Sequence, residues 1–247
     1  MRTYGLIGFP LGHSFSAKLF NEKFLHENIE DAQYKLFPLN DIGQLLTLIE
    51  QNQISGFNIT IPYKQAIIPY LDEIDAEAAA ARAVNTVKIE TRNNKFFLKG
   101  YNTDVYGFNK LLEKQKLPKQ YKALILGTGG SSKAVSYVLK QKEIDFSLVS
   151  RTPMCDKILS YSGITEKIIN EYKLIINTTP MGMFPDVNAF PDIPYSLITK
   201  NHCCIDLIYN PEETIFLKKC AAQGAWVCNG MPMLKAQAEA SWKIWNE

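Results

Sequence analysis

The chain has 247 residues, of which 46% are hydrophobic and 21% charged, the composition of a globular protein with two ordinary domains or one large one. Its net charge is +2 and its basic residues are scattered, so neither a nucleic acid nor a membrane surface is expected as a partner. It has no run of roughly eighteen apolar residues and no signal-peptide core, which predicts a cytoplasmic protein.

The first hundred residues alternate between strand-like and helix-like segments. Apolar runs predict strands at 4–8, 34–39, 57–61, 84–90 and 96–99, the last two joined by a turn at Asn93 and Asn94. Helical periodicity or helix-forming composition predicts helices at 16–28, 41–49 and 75–82. This order predicts a mostly parallel sheet with helices on its faces.

A second unit is predicted to begin near residue 102. Helices are expected at 105–114, from the glycine-rich turn to 140, and at 236–245, and strands at 123–126, 146–149, 174–176 and 204–208. The strand at 123–126 is apolar throughout, which is typical of the centre of a parallel sheet. The fold class is therefore α/β.

The segment 57–61 carries polar side chains on one face and ends beside a lysine. Asn58 and Thr60 alternate with apolar residues, Pro62 stops the strand, and Lys64 follows it. A buried polar face needs hydrogen-bond partners, which a polar ligand could supply. Lys64 is expected at the start of a short helix, where positive charge is disfavoured, a placement that suits acid/base use. The alternative is a solvated lysine.

A second polar cluster, residues 100–104, places Asp104 just after a strand. A carboxylate and a lysine at strand ends, beside amide and hydroxyl groups, suit a site that binds a hydroxylated molecule and moves a proton on it. Asp104 could also serve only as a helix cap.

A strand, a glycine-rich turn and a helix follow one another around Gly127. Gly127 permits the tight turn, Gly129 lets the backbone approach a pyrophosphate, and Ser132 is small enough for close packing of helix on strand. The candidate cofactor-binding residues are Gly127, Thr128, Gly129, Gly130, Ser131 and Ser132. A purely structural turn is the alternative, and the strand-turn-helix context argues against it.

The next strand ends at Ser150, Arg151 and Thr152, and no acidic residue lies between 146 and 152. An acidic residue there would bind the ribose 2′-hydroxyl of NAD, whereas an arginine accommodates the 2′-phosphate of NADP. Arg151 therefore predicts NADP, and the alternative is a solvated surface arginine.

The cysteines and histidines give little indication of a metal site. The five cysteines have no C-x-x-C spacing and the three histidines are dispersed, so reduced thiols and no metal are expected. In the turn-rich loop at 8–16, Ser14 and Ser16 could cap the following helix or bind a carboxylate, and His13 is interpreted as structural.

These segments, in this order, resemble the shikimate dehydrogenase family over nearly the whole chain. The matching motifs include Gly8, Pro10, His13, Ser14 and Ser16; Asn58, Thr60, Pro62 and Lys64; Ala83 to Thr86; Gly100 and Asn102 to Asp104; Gly127 to Ser132; Ser150 to Thr152; Asn177 to Gly182; Asp206 to Pro211; and Gly230 to Leu234 with Gln237.

The resemblance implies reversible, NADPH-dependent reduction of 3-dehydroshikimate to shikimate, a step toward chorismate and the aromatic amino acids. It implies a shikimate-binding domain at 1–101 with the C-terminal helix 231–247 returning to it, and a Rossmann-like NADP domain at 102–230. Ser14 and Ser16 would hold the carboxylate, and Lys64 and Asp104 would grip the reacting hydroxyls, with Lys64 as acid/base. The remaining residues would lie around the substrate (Asn58, Thr60, Asn85, Tyr209 and Gln237) or by the nicotinamide (Leu207 and Gly230).

The chain departs from the family pattern at several positions. Ala17 and Ser150 replace a usual proline and asparagine, no second basic residue closely follows Thr152, and the stretch 152–174 is short. None of these departures removes a reacting group. Three alternatives stay open: an NAD-using quinate/shikimate dehydrogenase, against which Ser14, Ser16 and Arg151 argue; a non-catalytic metabolite sensor, which could dispense with Lys64 or Asp104; and a folate-type dehydrogenase of similar architecture, which the serine pair disfavours. The oligomeric state, monomer or homodimer, is also open.

Overall fold

A computed structural model describes residues 1–11, 15–93, 95–115, 117–118 and 120–247. The chain forms two compact units, one of Met1–Gly107 with Lys235–Glu247 and the other of Phe108–Leu234. These are units of packing, and the domain limits expected from the sequence stay a prediction. No helix in the described ranges is both long and apolar enough to span a membrane.

The first unit is built on a six-stranded sheet. Its elements are β1 (Arg2–Gly8), α1 (Phe15–His26), β2 (Ala32–Pro38), α2 (Leu45–Asn52), β3 (Ile54–Ile59), α3 (Tyr63–Ala66), β4 (Glu73–Ile74), α4 (Ala76–Ala81), β5 (Thr86–Arg92), β6 (Lys95–Tyr101) and the start of α5 (Thr103–Glu113). The strand order is β2-β1-β3-β5-β6-β4. The predicted parallel pairing holds for β1 with β2 and β3, and β4, which was not predicted, pairs in parallel with β6. β5 runs antiparallel to both its neighbours: the predicted turn accounts for its pairing with β6, whereas its pairing with β3 was not predicted.

The strand predicted at 57–61 ends two residues earlier than expected. β3 stops at Ile59, and Tyr63 donates its N–H to the carbonyl of Thr60 at 2.9 Å, which turns the chain into α3. Pro62 offers no N–H to a neighbouring strand and restricts the residue before it. Ile61 lies after the strand and is 57% exposed, so the expectation that it shares one strand face with Phe57 and Ile59 is wrong.

Apolar side chains cover both faces of this sheet. On one face, the core contains Leu45, Ile49 and Phe57. A second core is aromatic and contains Tyr4, Phe20, Phe24, Tyr34 and Trp245. In it, Trp245 of the C-terminal helix donates its indole N–H to the carbonyl of Val87 at 3.0 Å. A Cβ on Gly56 would lie 2.6 Å from the Trp245 ring, which explains a glycine inside a strand.

The second unit is a six-stranded sheet with only parallel pairings between its neighbouring strands. Its elements are β7 (Ala123–Leu126), α6 (Gly130–Gln141), β8 (Phe146–Ser150), β9 (Ile158–Ser160), α7 (Glu166–Glu171), β10 (Leu174–Asn177), β11 (Cys203–Asp206), α8 (Ile215–Ala222), β12 (Trp226–Cys228) and the start of α9 (Met231–Asn246). The order β12-β11-β10-β7-β8-β9 reverses direction between β7 and β10. This is the doubly wound dinucleotide-binding order, in which ligands bind where the order reverses, outside the carboxyl ends of the strands.

Four elements of the second unit were not predicted from the sequence: β9, α7, α8 and β12. The strand predicted at 204–208 also ends earlier, at Asp206. β9 and β12 are three residues long each, too short for a periodicity to be recognised.

Candidate functional site

Lys64 and Asp104 form a mostly buried ion pair in the first unit. Lys64 Nζ lies 2.5 Å from Asp104 Oδ2, and the two side chains are 14% and 9% exposed. Lys64 belongs to α3, directly after β3, and its carbonyl accepts the N–H of Val84 at 2.7 Å. Asp104 lies in the first turn of α5, directly after β6. The two residues predicted to be catalytic therefore lie together, although forty positions separate them.

Asn85 connects this pair to the surrounding polar side chains. Its Nδ2 lies 3.0 Å from Asp104 Oδ1 and 3.0 Å from Thr103 Oγ1, and its Oδ1 accepts the N–H of Thr103 at 2.7 Å. Gln237, on α9, places its Oε1 3.3 Å from Thr103 Oγ1. Asn85 and Gln237 are 3% and 7% exposed. Each Asp104 oxygen thus has a protein partner, which fixes the orientation of the carboxylate.

Asn58 has its hydrogen bonds supplied by the protein. Its Oδ1 accepts from the hydroxyl of Tyr34 at 2.8 Å, and its Nδ2 lies 3.0 Å from both Thr86 Oγ1 and Ser241 Oγ. The argument that this buried face takes its partners from a ligand is therefore wrong for Asn58. Its part in substrate binding stays a prediction, and its evident contribution is to hold β3, β5 and α9 together.

Thr86, Thr103 and Ser241 were not assigned to the site from the sequence, although they connect its amides. Their hydroxyl oxygens lie 2.9–3.1 Å from one another. Ser241 lies four residues after Gln237, on the same face of α9. This spacing could have identified Ser241 as a site residue from the sequence.

The other predicted substrate residues are less connected to the pair. Ser16 is 8% exposed on α1, and Thr60 lies between β3 and α3 with its N–H donated to the carbonyl of Ile7 at 2.9 Å. Ser14 and His13 lie outside the described residues. Tyr209 is half-buried after β11 in the second unit, and its predicted role is not tested by the contacts there.

The site of the first unit can hold a polar molecule and exchange a proton with it. An ammonium group carries three donors, and Asp104 occupies one of them in Lys64. A ligand oxygen that accepts from Lys64 would meet positive charge in a mostly buried setting, where electrostatic interactions are stronger than in water.

In the second unit, the glycine-rich turn joins β7 to α6. Gly127 has φ +108°, and a Cβ there would lie 2.8 Å from Thr178 Oγ1, so the protein itself requires this glycine. Gly129 is different, because its φ is −78° and a Cβ would meet nothing within 4 Å. Ser132 is buried and donates to the carbonyl of Gly129 at 2.6 Å. The open space at Gly129, before the free N–H groups of a twelve-residue helix, fits a pyrophosphate.

Thr128, Gly130 and Ser131 complete this turn, and Ser150, Arg151 and Thr152 follow the neighbouring strand. Thr128, Arg151 and Thr152 are exposed. Ser150 ends β8, and its hydroxyl lies 3.2 Å from the backbone N of Thr152. An arginine at the end of this strand, with no acidic residue in the segment 146–152, fits a 2′-phosphate.

Leu207 and Gly230 lie against each other in the second unit. A Cβ on Gly230 would overlap the Leu207 carbonyl, at 2.0 Å, so only glycine fits there. Asp206, directly before Leu207, is fully buried and accepts from Asn177 Nδ2 at 3.0 Å, the Ile208 N–H at 3.0 Å and the Thr214 hydroxyl at 2.6 Å. Burial raises the pKa of Asp206 to about 7, against the opposing effect of these three donors. Asp206 begins one of the motifs shared with the family, but the sequence did not predict that it anchors these three donors.

A doubly wound sheet with a glycine-rich first turn, in a chain that also carries a buried lysine–aspartate pair, defines the class of dinucleotide-dependent oxidoreductases. The family model described as the shikimate dehydrogenase substrate binding domain matches residues 6–87. A Clostridium beijerinckii protein named shikimate dehydrogenase (NADP(+)) is 41% identical over 100% of this chain and 93% of its own length. The chain belongs to the shikimate dehydrogenase family.

Solved structures agree with this assignment and show the range of the fold. Shikimate dehydrogenase 1 from Peptoclostridium difficile has a TM-score of 0.85 at 38% identity, with 100% of this chain and 92% of that chain covered. A quinate dehydrogenase from Corynebacterium glutamicum, in complex with NAD, also has a TM-score of 0.85 at 28% identity, with 99% and 93% covered. Fold similarity alone therefore does not separate shikimate from quinate or NADP from NAD.

Proposed function

We propose that this chain catalyses the reversible reduction of 3-dehydroshikimate to shikimate with NADPH. The observation that carries the proposal is the mostly buried Lys64–Asp104 pair, oriented by Asn85, in a chain that matches NADP-named relatives over its full length. Reduction of a carbonyl group to a hydroxyl group needs a proton donor at the oxygen and a group that holds this donor in place. Lys64 and Asp104 are these two groups.

Lys64 is the proton donor in the direction of reduction. Its ammonium hydrogen-bonds to the carbonyl oxygen, stabilises the negative charge that develops there, and gives up a proton as the hydroxyl forms. Asp104 holds Lys64 by one carboxylate oxygen, while Asn85 holds the other. In the reverse direction the neutral amine of Lys64 accepts the hydroxyl proton. NADPH, when bound, supplies the hydride.

The remaining polar side chains of the first unit would bind and orient the substrate. Ser14 and Ser16 would hold its carboxylate, and Thr60, Asn85 and Gln237 would contact its hydroxyls. Asn85 and Gln237 lie within the network that orients Asp104, which supports their assignment. Asn58 supports this network indirectly, because its side chain hydrogen-bonds to the protein's own Tyr34, Thr86 and Ser241.

The glycine-rich turn and Arg151 would hold the cofactor. The open space at Gly129 and the N-terminus of α6 suit the pyrophosphate, and Arg151 suits the 2′-phosphate. Leu207 and Gly230, which lie against each other, would border the nicotinamide. This arrangement favours NADP over NAD.

A quinate dehydrogenase that uses NAD is the second candidate function, because the solved quinate enzyme is equally similar in fold. The test pairs shikimate or quinate with NADP or NAD and follows nicotinamide absorbance. Activity confined to shikimate with NADP supports the proposal. Comparable kcat/KM with quinate or NAD moves the assignment to the second candidate, and no activity in any pairing favours a metabolite sensor.

A further inference from the structure

The carboxyl end of β11 carries a buried carboxylate that the proposed reaction does not use. Asp206 is fully buried, and the three groups that donate to it are uncharged. A buried carboxylate whose partners are uncharged is costly unless its hydrogen bonds are well formed. What this carboxylate holds in place follows from where its donors lie.

One oxygen of Asp206 fixes the backbone on either side of Leu207. Oδ1 accepts the N–H of Ile208 at 3.0 Å, in a local turn that spans Leu207, and it also accepts Asn177 Nδ2 at 3.0 Å. Leu207 donates its own N–H to the carbonyl of Asn177 at 3.0 Å. Asn177 thus holds Asp206 by its side chain and Leu207 by its backbone, so the peptide groups around Leu207 have little freedom to rotate.

The position of Leu207 in turn decides the position of Gly230. A Cβ on Gly230 would overlap the Leu207 carbonyl, and the Gly230 N–H donates to the carbonyl of Ile208 at 2.9 Å. Leu207 and Gly230 are the residues proposed to border the nicotinamide. Asp206 is fully buried, so it can act on the nicotinamide only through these peptide groups.

The second oxygen of Asp206 leads to a different element. Oδ2 accepts the hydroxyl of Thr214 at 2.6 Å. Thr214 is the N-cap of α8, where its hydroxyl oxygen accepts the N–H of Leu217 at 3.3 Å. The two oxygens therefore have separable roles, because Oδ1 holds the turn at Leu207 and Oδ2 holds the start of α8.

We propose that Asp206 is a positioning residue for hydride transfer, which keeps Leu207 and Gly230 in place and thereby keeps the nicotinamide ring in the orientation that the reaction needs. The inference rests on the proposed function, since it takes NADPH as the cofactor and these two residues as the border of its nicotinamide. The reaction itself is unchanged, with the hydride of NADPH and the proton of Lys64 entering the product. A misplacement of about 1 Å can cost about a hundredfold in rate, so a loosened border should lower kcat.

The test compares Asp206→Ala with Asp206→Asn. Asparagine keeps an oxygen at the position of Oδ1, which can still accept from Ile208 and Asn177, and its amide nitrogen can donate to the Thr214 oxygen. Alanine removes all three hydrogen bonds. The comparison therefore separates the contacts at Oδ1 from the negative charge, which both variants lack.

Steady-state kinetics give kcat and KM for the reduction of 3-dehydroshikimate at saturating NADPH. Titration calorimetry with 2′,5′-ADP gives a dissociation constant and the fraction of protein that binds. This nucleotide has the 2′-phosphate of NADP but no nicotinamide, so it reports on a folded second unit without its nicotinamide border. Dividing kcat by the binding fraction gives kcat per binding site and excludes unfolded molecules.

We expect Asp206→Ala to lose at least about tenfold in kcat per binding site, while the dissociation constant of 2′,5′-ADP and the KM for 3-dehydroshikimate stay within about threefold. Asp206→Asn should keep at least about a third of the wild-type value, because both contacts at Oδ1 can form. If Asp206→Ala does not fold, Asn177→Ala takes its place, since it removes one of the two donors at Oδ1, and the same loss is expected.

Thr214→Val is the matched control, because it removes the contact at Oδ2 and the N-cap of α8 but leaves both contacts at Oδ1. It should lower the urea midpoint of unfolding, as loss of a helix N-cap does, and keep kcat per binding site within about threefold. A merely structural role of Asp206 would instead give Thr214→Val and Asp206→Ala the same loss of kcat per binding site.

Several results overturn the inference and leave the proposed function intact. These are a loss below about tenfold in Asp206→Ala, an equal loss in Asp206→Asn or in Thr214→Val, and a parallel loss of affinity for 2′,5′-ADP. Wild-type protein that forms no shikimate from 3-dehydroshikimate and NADPH contradicts the proposed function and the inference with it.

Discussion

Replacing Lys64 by alanine should abolish most turnover while it leaves the affinity for NADP nearly unchanged. The proposed loss combines the proton donor and the charge that stabilises the developing oxyanion, and general acid catalysis alone contributes about a hundred- to ten-thousand-fold. The residues proposed to hold NADP lie in the second unit, whereas Lys64 belongs to the first. Steady-state kinetics give kcat, and titration calorimetry gives the dissociation constant of NADP, which should stay within about threefold.

The same substitution should lower the free energy of unfolding. Lys64→Ala removes a 2.5 Å hydrogen bond between mostly buried charges and leaves Asp104 with only Asn85 at one of its oxygens. Loss of a charged hydrogen bond costs about 1.5–3 kcal/mol. The double variant Lys64→Ala with Asp104→Asn should recover part of this in urea unfolding, because no unpaired carboxylate is left buried.

Lys99→Ala is the control for the general effect of removing a lysine. Lys99 pairs with Glu73 on the same sheet, and its side chain is 28% exposed. It should keep kcat within about twofold, as expected for a surface ion pair of low energy. Equal losses of kcat and NADP affinity in Lys64→Ala, or a loss of kcat below tenfold, would refute the assigned role of Lys64.

Three further predictions concern the second unit. Gly129→Val should weaken NADP binding by at least tenfold without a change in the urea midpoint, because its side chain would enter ligand space, whereas Gly127→Val should destabilise the fold. Arg151→Ala should weaken NADP binding about ten- to a hundred-fold and NAD binding little. Burial lowers the pKa of His202 from its ordinary value of 6.5, so the unfolded chain takes up this proton before the folded chain does. The free energy of unfolding should therefore fall as the pH drops below about 6.5, and His202→Asn should reduce this pH dependence.

Each of these has an outcome that would contradict it. Unchanged NADP binding in Gly129→Val would mean that the space before α6 does not hold the pyrophosphate. Equal losses of NADP and NAD affinity in Arg151→Ala would remove its assignment to the 2′-phosphate. An unaltered pH profile of the unfolding midpoint in His202→Asn would show that another group titrates in this window.

The sequence predicted those helices, strands and turns whose own residues carry a clear local pattern. The apolar run of β7, the glycine turn after it and the alternation along β3 have local causes, and the structure has each of them close to its predicted position. The sequence predicted the turn that joins β5 to β6, and these two strands pair antiparallel. The antiparallel pairing of β3 with β5 was missed, because the alternating order of strands and helices suggested a mostly parallel sheet. The short strand β9 has no pattern of its own and is defined by its pairing with β8.

The sequence predicted the charged residues of the candidate site better than it predicted the polar residues that orient them. Lys64 and Asp104 each follow a strand whose apolar pattern can be recognised in the sequence, so both could be predicted as site residues. The partners of Asn58, by contrast, come from Tyr34, Thr86 and Ser241, which are distant in sequence and converge only through packing. The sequence therefore suggested that a ligand could supply hydrogen bonds to Asn58 that the protein supplies itself.

The most direct test of the account is to incubate the purified protein with 3-dehydroshikimate and NADPH and to identify the product by mass spectrometry and chiral chromatography. The account predicts shikimate in an amount equal to the NADPH oxidised, with Lys64→Ala close to background. Formation of no shikimate by protein that binds NADP, or undiminished formation by Lys64→Ala, would contradict it.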